Sequence, residues 1–233
     1  MADLNFVTIT TLALGDSVNP CEMAILTMIL ISILIHNPEN REKVLYAGLA
    51  FTSALFFGYL IYGLIIIQLF HSFSIFAGNY SVYVFRGLAI LTMILGALNI
   101  KDFFMYQPGG LATEMPLWMR PYAKELTKKI TSVSGAFIIG ILLTIFLIPC
   151  TGGPLVVASG LLSKLSFFNA IPWLLWYNFI FVLPMIIITL LIFFAFTTVE
   201  NVSSWKERNI KYLHLIAGIL LFAVGLSLLM GWL

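Results

Sequence analysis

Long apolar runs separated by short polar stretches dominate the chain. Each run is about as long as the ~20 residues that a helix needs to cross the hydrocarbon core of a bilayer. The six runs extend over Phe6–Ile35, Val44–Phe70, Val82–Ile100, Val133–Leu162, Ala170–Phe196 and Tyr212–Trp232. They are continuous rather than alternating, which is unlike the pattern of a membrane β-barrel. We therefore predict an all-α polytopic membrane protein with six transmembrane helices.

The composition supports a lipid environment. Of the 233 residues, 61% are hydrophobic and only 9% are charged, whereas a soluble domain carries roughly 25% charged residues. The net charge is +2, with no basic stripe interleaved with aromatics, which argues against a nucleic-acid partner. No cationic residue precedes the first apolar run, so we interpret that run as a retained segment rather than a signal peptide.

The Lys and Arg residues fall mainly on one side of the predicted spans. Only Arg86 and Lys164 lie on the other side. The ten on the first side are Arg41, Lys43, Lys101, Arg120, Lys124, Lys128, Lys129, Lys206, Arg208 and Lys211. Because cytoplasmic loops carry an excess of Lys and Arg, we predict a cell-membrane protein with both termini on the extracytoplasmic side.

Two features recur at a fixed spacing. The two Pro-Cys dipeptides, which end at Cys21 and Cys150, are 129 residues apart, and so are Gly96 and Gly225. Three hydrophobic runs belong to each half, and an odd number of spans gives the halves opposite orientations. The spacing therefore predicts an inverted repeat of the kind found in many transporters.

This repeat divides one membrane domain into three parts. We predict a first three-helix repeat over residues 1–101, a cytoplasmic linker over 102–131 and a second three-helix repeat over 132–233. Within the linker, Tyr122–Ile130 fits two alternatives, an amphipathic interfacial helix or a solvated charged turn.

The first run is interrupted at Gly15-Asp16-Ser17-Val18-Asn19-Pro20. Pro20 lacks an N–H and pushes Asn19 away from helical geometry. Because proline is favoured at the first helical position, we predict a short outer half-helix, a break, and a second helix that begins near Pro20. Cys21 then lies in the first turn of that helix, near the middle of the membrane.

The fourth run is interrupted in a similar place. It reads Pro149-Cys150-Thr151-Gly152-Gly153-Pro154, and this combination disfavours a regular helix. Interrupted helices at corresponding positions of two halves indicate a midplane site. A lone cysteine is usually a small buried apolar side chain, but the only two cysteines of the chain occupy these matched positions. We interpret them as a functional pair.

At these residues the chain resembles the CcdA family of thiol–disulfide electron carriers and the related membrane domain of DsbD. The resemblance covers the whole chain, with six spans, two halves and a Pro-Cys in the first and fourth spans. The segment 149–154 is similar to the family's Pro-Cys-x-Gly-Pro motif. The segment 19–21 keeps the Pro-Cys core but lacks the further prolines that many members carry after it.

The resemblance implies a membrane thiol–disulfide oxidoreductase in which Cys21 and Cys150 are the catalytic redox pair. It implies no other cofactor and no metal. Cytoplasmic thioredoxin would supply electrons, and an extracytoplasmic thioredoxin-like protein would receive them, often for cytochrome c maturation. The residues expected to support or gate this pair are Asn19, Pro20, Pro149, Thr151, Gly152, Gly153 and Pro154.

Other polar residues within the runs are secondary candidates. Asp16 and Glu22 flank the first Pro-Cys and are candidates for a proton relay, since an ionisable residue in a span is a functional hypothesis by default. Asp16 also fits a wet outer vestibule or a helix cap. Asn178 fits either a cavity lining or helix packing. The histidines lie near predicted span ends and form no ligand spacing: His36, His71 and His214.

Three other functions stay open at this point. A soft-metal transporter would use the cysteines, because thiolates select ions such as Cu(I), but the chain lacks a Cys/His-rich tract. A small-solute or ion transporter would use Asp16, Glu22 and the broken helices without needing the thiols. A structural or assembly protein is the third alternative, and the matched helix breaks disfavour it.

Overall fold

The fold is entirely helical wherever the structure describes it. The computed structural model describes residues 6–36, 41–77, 81–105, 117–128, 130, 132–194 and 198–230, and no strand occurs among them. These residues form α1 (Phe6–Ser17), α2 (Pro20–His36), α3 (Arg41–Ala77), α4 (Ser81–Phe104), α5 (Arg120–Lys128), α6 (Val133–Leu162), α7 (Phe167–Phe193) and α8 (Val199–Met230). The predicted class, a polytopic helical membrane protein, agrees with this architecture.

Among the described residues, four helices are individually long and apolar enough to cross a membrane, and the number is up to six if each of two bent pairs counts as one span. The four are the apolar stretches of α3, α4, α7 and α8. In the first bent pair, α1 and α2 meet at 51°. In the second, the parts of α6 over Val133–Ile148 and Thr151–Leu162 meet at 85°. Both predicted interruptions therefore coincide with a bend.

Two helices extend beyond the boundaries predicted from hydrophobicity. α8 begins at Val199 rather than at Tyr212, and the added turns are rich in Glu, Lys and Arg, which are good helix formers. The Asn201 N–H donates to the Thr198 hydroxyl at 3.2 Å, as expected at a helix N-cap. α3 likewise continues to Ala77. Hydrophobicity marks the part of a helix that lies in lipid and gives no signal for its polar continuation.

The second half of the linker contains a helix, α5, which favours the helical alternative over the solvated charged turn. Ala123 and Thr127 are buried on one face of α5, while Tyr122 and Lys124 on the other face are exposed. The buried face packs against α2 and α6. Residues 106–116 of the linker lie outside the described part of the chain.

The helices pack in pairs around a common apolar core. α3 contacts both α6 and α7, α4 lies along α8, and α1 contacts α7 and α8. Large apolar side chains also cover the outside of the bundle, with Ile61, Ile65 and Ile145 each more than half exposed. Soluble proteins rarely expose such a continuous apolar surface, so this surface is suited to lipid.

The backbones of α4 and α8 approach closely where the two helices cross. A Cβ placed on Gly96 would lie 2.5 Å from the Phe222 nitrogen and 2.9 Å from the Gly218 carbonyl oxygen. Glycine is therefore required here because the backbones themselves are in contact.

The same contact is repeated with the roles of the two helices exchanged. A Cβ on Gly225 would lie 2.8 Å from the Met93 nitrogen and 2.9 Å from the Ala89 carbonyl oxygen. Each residue of this second contact is 129 positions away from its counterpart in the first. The crossing thus follows the spacing that separates the two Pro-Cys dipeptides.

Candidate functional site

The break between α1 and α2 is closed by a side-chain cap. α1 ends at Ser17 and α2 begins at Pro20. The Asn19 Oδ1 accepts a hydrogen bond from the Cys21 N–H at 3.0 Å, as an N-cap residue does for the second helical residue. Pro20 occupies the first helical position, where its missing N–H loses no helix bond. Cys21 therefore lies in the first turn of α2, as predicted.

Cys21 lines a cavity of about 590 Å³ between α2, α5 and α8, which we call the vestibule. The α2 wall is apolar, whereas α5 and α8 contribute the cations Arg120, Lys124 and Lys206 together with Glu207. These cations are among those that the sequence analysis assigns to one side of the predicted spans, which we call the positively charged side. Half-buried Cys21 and these cations line the same cavity.

The two Pro-Cys segments meet around a second, smaller cavity. This cavity measures about 20 Å³, and its lining includes Asn19 and Pro20 from the first segment and Pro154 from the second. Tertiary structure thus brings together the ends of two motifs that are 129 residues apart. The side chains of Pro149 and Cys150 lie outside the described residues, so the pairing of the cysteines stays a prediction.

The rest of the second motif packs tightly into the bundle. The Thr151 hydroxyl donates to the Tyr59 hydroxyl oxygen at 2.8 Å, which joins α6 to α3. A Cβ on Gly153 would overlap the Leu95 side chain of α4, so this glycine allows two helices to approach. The gating role predicted for Gly152 and Gly153 is a separate property and stays a prediction.

Two carboxyl groups are buried beside the first Pro-Cys. Asp16 is 4% exposed, and its Oδ2 accepts a hydrogen bond from the Tyr177 hydroxyl at 2.8 Å. Glu22 is 0% exposed, and neither of its carboxyl oxygens has a hydrogen-bond partner among the described residues. Tyr177 is also near enough to Glu22 and Tyr59 to interact electrostatically. Asp16 thus lies inside the bundle and not in a solvent-filled opening at the outer surface.

Replacing Glu22 with leucine is expected to stabilise the protein. An unpartnered buried polar group destabilises a fold by about 1–3 kcal/mol, and leucine removes that group while filling similar space. We expect Glu22→Leu to raise the apparent melting temperature in detergent, measured by intrinsic fluorescence. Glu42→Leu is the matched control, because Glu42 is exposed in the first turn of α3 and its removal gains nothing. A lower melting temperature for Glu22→Leu would indicate a partner outside the described residues.

Sequence reasoning did not single out Tyr59, Tyr177 or a buried pair formed by Asn99 and His214. The His214 Nδ1 and the Asn99 Oδ1 are 3.0 Å apart, and His214 is only 1% exposed. The available signal was the presence of an ionisable side chain inside a hydrophobic run. The position of His214 near a span end concealed this signal, because only packing distinguishes a buried histidine from one at the membrane interface.

Asn178 is fully buried on the face of α7 that also carries Tyr177. Its Nδ2 donates to the Leu174 carbonyl oxygen at 2.9 Å, and its Oδ1 has no hydrogen-bond partner within the part of the chain that the structure describes. This arrangement serves helix packing and leaves an acceptor directed into the bundle interior.

No set of three or more His, Cys, Asp and Glu side chains in the described ranges is grouped to hold a metal ion. Comparison with known proteins adds no assignment. No family model matches the chain, and no curated protein or solved structure is significantly similar to it.

Proposed function

We propose that this protein is a transmembrane thiol–disulfide electron carrier. It passes reducing equivalents from cytoplasmic thioredoxin to an extracytoplasmic thioredoxin-like protein, a step of the kind used in cytochrome c maturation. One observation carries the proposal: Cys21 lies at a helix break inside the bundle and lines the vestibule together with cations of the positively charged side. A partly exposed thiol that shares a cavity with cations is suited to exchange with a soluble partner.

The layout that we propose consists of six spans in two inverted three-helix repeats. They cover residues 1–101 and 132–233, with a cytoplasmic linker between them and both termini outside. The crossing of α4 and α8 supports this layout, because a shift of 129 residues exchanges the Gly96 contact with the Gly225 contact. The bends within the first and fourth hydrophobic runs also correspond.

The proposed reaction is stepwise exchange. A thioredoxin thiolate attacks one sulfur of the Cys21–Cys150 disulfide, which breaks that bond, forms a mixed disulfide and releases the other cysteine as a thiolate. The second thioredoxin thiol attacks the mixed disulfide and leaves oxidised thioredoxin and a reduced membrane pair. The same two steps in reverse reduce the outer partner. Two electrons move at each exchange, and about 30 mV of potential difference corresponds to about 1.4 kcal/mol.

Access differs for the two partners. Thioredoxin is too large to enter a bilayer, so the reacting sulfur must be reached through an opening such as the vestibule. The bends at residues 18–19 and 149–150 are the points at which the outer opening would form, because backbone at a helix break has fewer hydrogen bonds to lose.

A second candidate, transport of an ion or small solute, is favoured by the buried carboxyl groups of Asp16 and Glu22. Ionisable residues at broken helices are typical of ion and proton transporters. Transport that survives replacement of both cysteines by serine would support this candidate over the redox function. A soft-metal carrier, by contrast, would require both thiols to stay reduced while working.

The proposed function is tested by thiol trapping. The protein is oxidised in detergent, treated with catalytic thioredoxin, thioredoxin reductase and NADPH, then acid-quenched, denatured and labelled with a bulky maleimide. We expect no label before reduction and two labels per chain afterwards. Cys21→Ser and Cys150→Ser should each take up one label under both conditions.

Full labelling of both cysteines in the oxidised wild-type protein would be the contrary result. The cysteines would then form no disulfide, and the electron-carrier function would be wrong. Labelling that appears with a chemical reductant but not with thioredoxin would retain the disulfide and reject the proposed partner.

A further inference from the structure

The vestibule has an apolar wall formed by one face of α2. Cys21, Ala24 and Met28 belong to this wall, and their spacings of three and four residues place them on the same side of the helix. At ~1.5 Å per residue they extend over roughly 10 Å of α2. None of the three is fully buried, so the described part of the chain leaves this face of α2 partly uncovered.

The wall continues along α2 into the outer surface of the bundle. Met28 is 39% exposed, and Ile35, about two helical turns further on the same face, is 72% exposed. The outer surface of the bundle is apolar and suited to lipid. The vestibule therefore adjoins the surface that meets the hydrocarbon chains of a bilayer.

α5 and α8 supply the charged part of the lining. Three cations and one carboxylate give these groups a net charge of +2: Arg120, Lys124, Lys206 and Glu207. Lys124 is exposed. Arg120 and Lys206 also interact with other groups of the protein. Because an arginine has five N–H donors and a lysine has three, such a neighbour does not exhaust the donors that a ligand could use.

α5 is fixed beside α2 with its cations next to exposed aromatic side chains. The Ser32 hydroxyl of α2 donates to the carbonyl oxygen of Ile130, just after α5, at 3.0 Å. Trp118 and Tyr122 are both more than half exposed. Tryptophan and tyrosine favour the boundary between membrane and water. The cations of α5 are therefore expected at the depth of the lipid headgroups.

An anionic phospholipid combines the two chemistries that the vestibule offers. Its phosphate accepts hydrogen bonds from arginine and lysine, and its acyl chain covers an apolar wall. Basic pockets between membrane helices bind anionic headgroups in this way. The volume of about 590 Å³ falls in the range of roughly 300–1,000 Å³ that is usual for small ligands. It suits a phosphate with one acyl chain and is too small for a folded protein.

We propose that the vestibule binds one anionic phospholipid, with its phosphate on the cations of α5 and α8 and an acyl chain along the wall formed by α2. Cys21 lines the same cavity, so the bound lipid covers the thiol. This site goes beyond the proposed thiol–disulfide function and does not depend on it. Where that function operates, a soluble partner must displace the lipid before it reaches Cys21.

The first test measures binding to the full-length protein in a neutral detergent. Phosphatidylglycerol is titrated in, and the melting temperature is followed by intrinsic fluorescence. We expect phosphatidylglycerol to raise the melting temperature at concentrations at which phosphatidylcholine and glycerol phosphate have no effect. An equal effect of glycerol phosphate would indicate a free-phosphate site, and an equal effect of phosphatidylcholine would indicate unspecific lipid contact. Either result, or no effect of any of the three, would overturn the inference.

Matched variants locate the site. Lys124→Gln removes a cation of the vestibule, whereas Arg208→Gln removes an exposed cation of α8 that does not line it. A cation near an anionic headgroup contributes a factor of about five to affinity. We therefore expect Lys124→Gln to raise the phosphatidylglycerol concentration for half-maximal stabilisation about fivefold, and Arg208→Gln to leave it unchanged. Equal shifts in the two variants would indicate a diffuse charge effect and contradict a site in the vestibule.

The second test measures whether the lipid covers Cys21. Cys150→Ser, in which Cys21 is the only cysteine, is reconstituted in phosphatidylcholine vesicles with or without an equal amount of phosphatidylglycerol. Labelling by uncharged N-ethylmaleimide is then timed. A site occupied for about four-fifths of the time leaves about one-fifth of the rate, so we expect labelling about fivefold slower with phosphatidylglycerol. Adding Lys124→Gln should restore most of the rate.

The control for surface charge is Ser204→Cys in a chain from which Cys21 and Cys150 have been removed. Ser204 is exposed on α8 and does not line the vestibule. Its labelling reports how an anionic membrane slows any thiol near that surface. Slowing of Cys21 that is no greater than slowing of this control would overturn the inference.

The outcomes separate the lipid site from the proposed function. Slow labelling of Cys21 in both lipid compositions would show that a protein segment fills the vestibule, and would reject the lipid. That result leaves the electron carrier to be judged by thiol trapping. If thioredoxin fails to reduce the wild-type protein, the electron carrier is wrong, whereas protection of Cys21 by phosphatidylglycerol would still establish the lipid site.

Discussion

Cys150→Ser is expected to accumulate a mixed disulfide with thioredoxin, whereas Cys21→Ser is expected to accumulate none. Cys21 lines the vestibule, so it is the sulfur that a partner on the positively charged side reaches. Without Cys150, no internal thiol can displace the partner. A thioredoxin variant that lacks its own resolving cysteine should then stay bound through Cys21, as a band that disappears on reduction.

Electron transfer through the membrane should fall by at least about a hundredfold in either variant, because loss of a nucleophile removes the reaction path rather than weakening it. The measurement is the rate at which an outer thioredoxin-like acceptor is reduced by proteoliposomes that contain thioredoxin, its reductase and NADPH. The control is Thr52→Cys in a chain from which Cys21 and Cys150 have been removed. Thr52 is 3% exposed, so a cysteine there should form no adduct with thioredoxin. Adducts with Cys21→Ser but not with Cys150→Ser would reverse the order of attack.

Gly96→Ala and Gly225→Ala are expected to destabilise the bundle, whereas Gly87→Ala is not. A Cβ at Gly96 or Gly225 would lie within 2.9 Å of backbone atoms of the opposite helix. Backbone cannot move aside as a flexible side chain can, so α4 and α8 must separate. Overpacking of this kind costs about 1–3 kcal/mol, and the loss of interhelical van der Waals contact is not offset by a hydrophobic gain in lipid.

Gly87 is the matched control because it lies in α4 and a Cβ there would meet no atom of another helix within 4 Å among the described residues. Alanine at that position should be neutral or stabilise the helix by up to about 1 kcal/mol. Thermal unfolding in one detergent, followed by intrinsic fluorescence, compares all three variants. Equal losses for Gly96→Ala and Gly225→Ala would also support the inverted repeat, since the two positions would be equivalent. Melting temperatures that match wild type in both would contradict the close crossing.

The local part of the site is predictable because it depends on residues adjacent in sequence. Asn19 caps α2, Pro20 starts it, and Cys21 follows in the first turn. Each step uses backbone chemistry that is encoded within three residues: a missing N–H, a restricted residue before proline and a side-chain acceptor. The bend in the fourth run is predictable for the same reason.

The surroundings of that site are not predictable in this way. The Tyr177 bond to Asp16 and the Thr151 bond to Tyr59 join residues 161 and 92 positions apart. Nothing in the sequence near Asp16 indicates which of several polar residues in other helices will meet it. The vestibule likewise depends on α5, whose helical state the sequence left undecided.

Three properties could be derived from the order of residues alone: the chain is an all-α membrane protein, two of its apolar runs are interrupted, and Cys21 lies at the start of a helix. These properties follow from hydrophobicity and backbone chemistry, which act over a span or less. Three others required the packed helices: Asp16 and Glu22 are buried, His214 lines a cavity with Asp16, and Cys21 lines the vestibule. These depend on the rotation and crossing of helices distant in sequence, which packing between their surfaces sets.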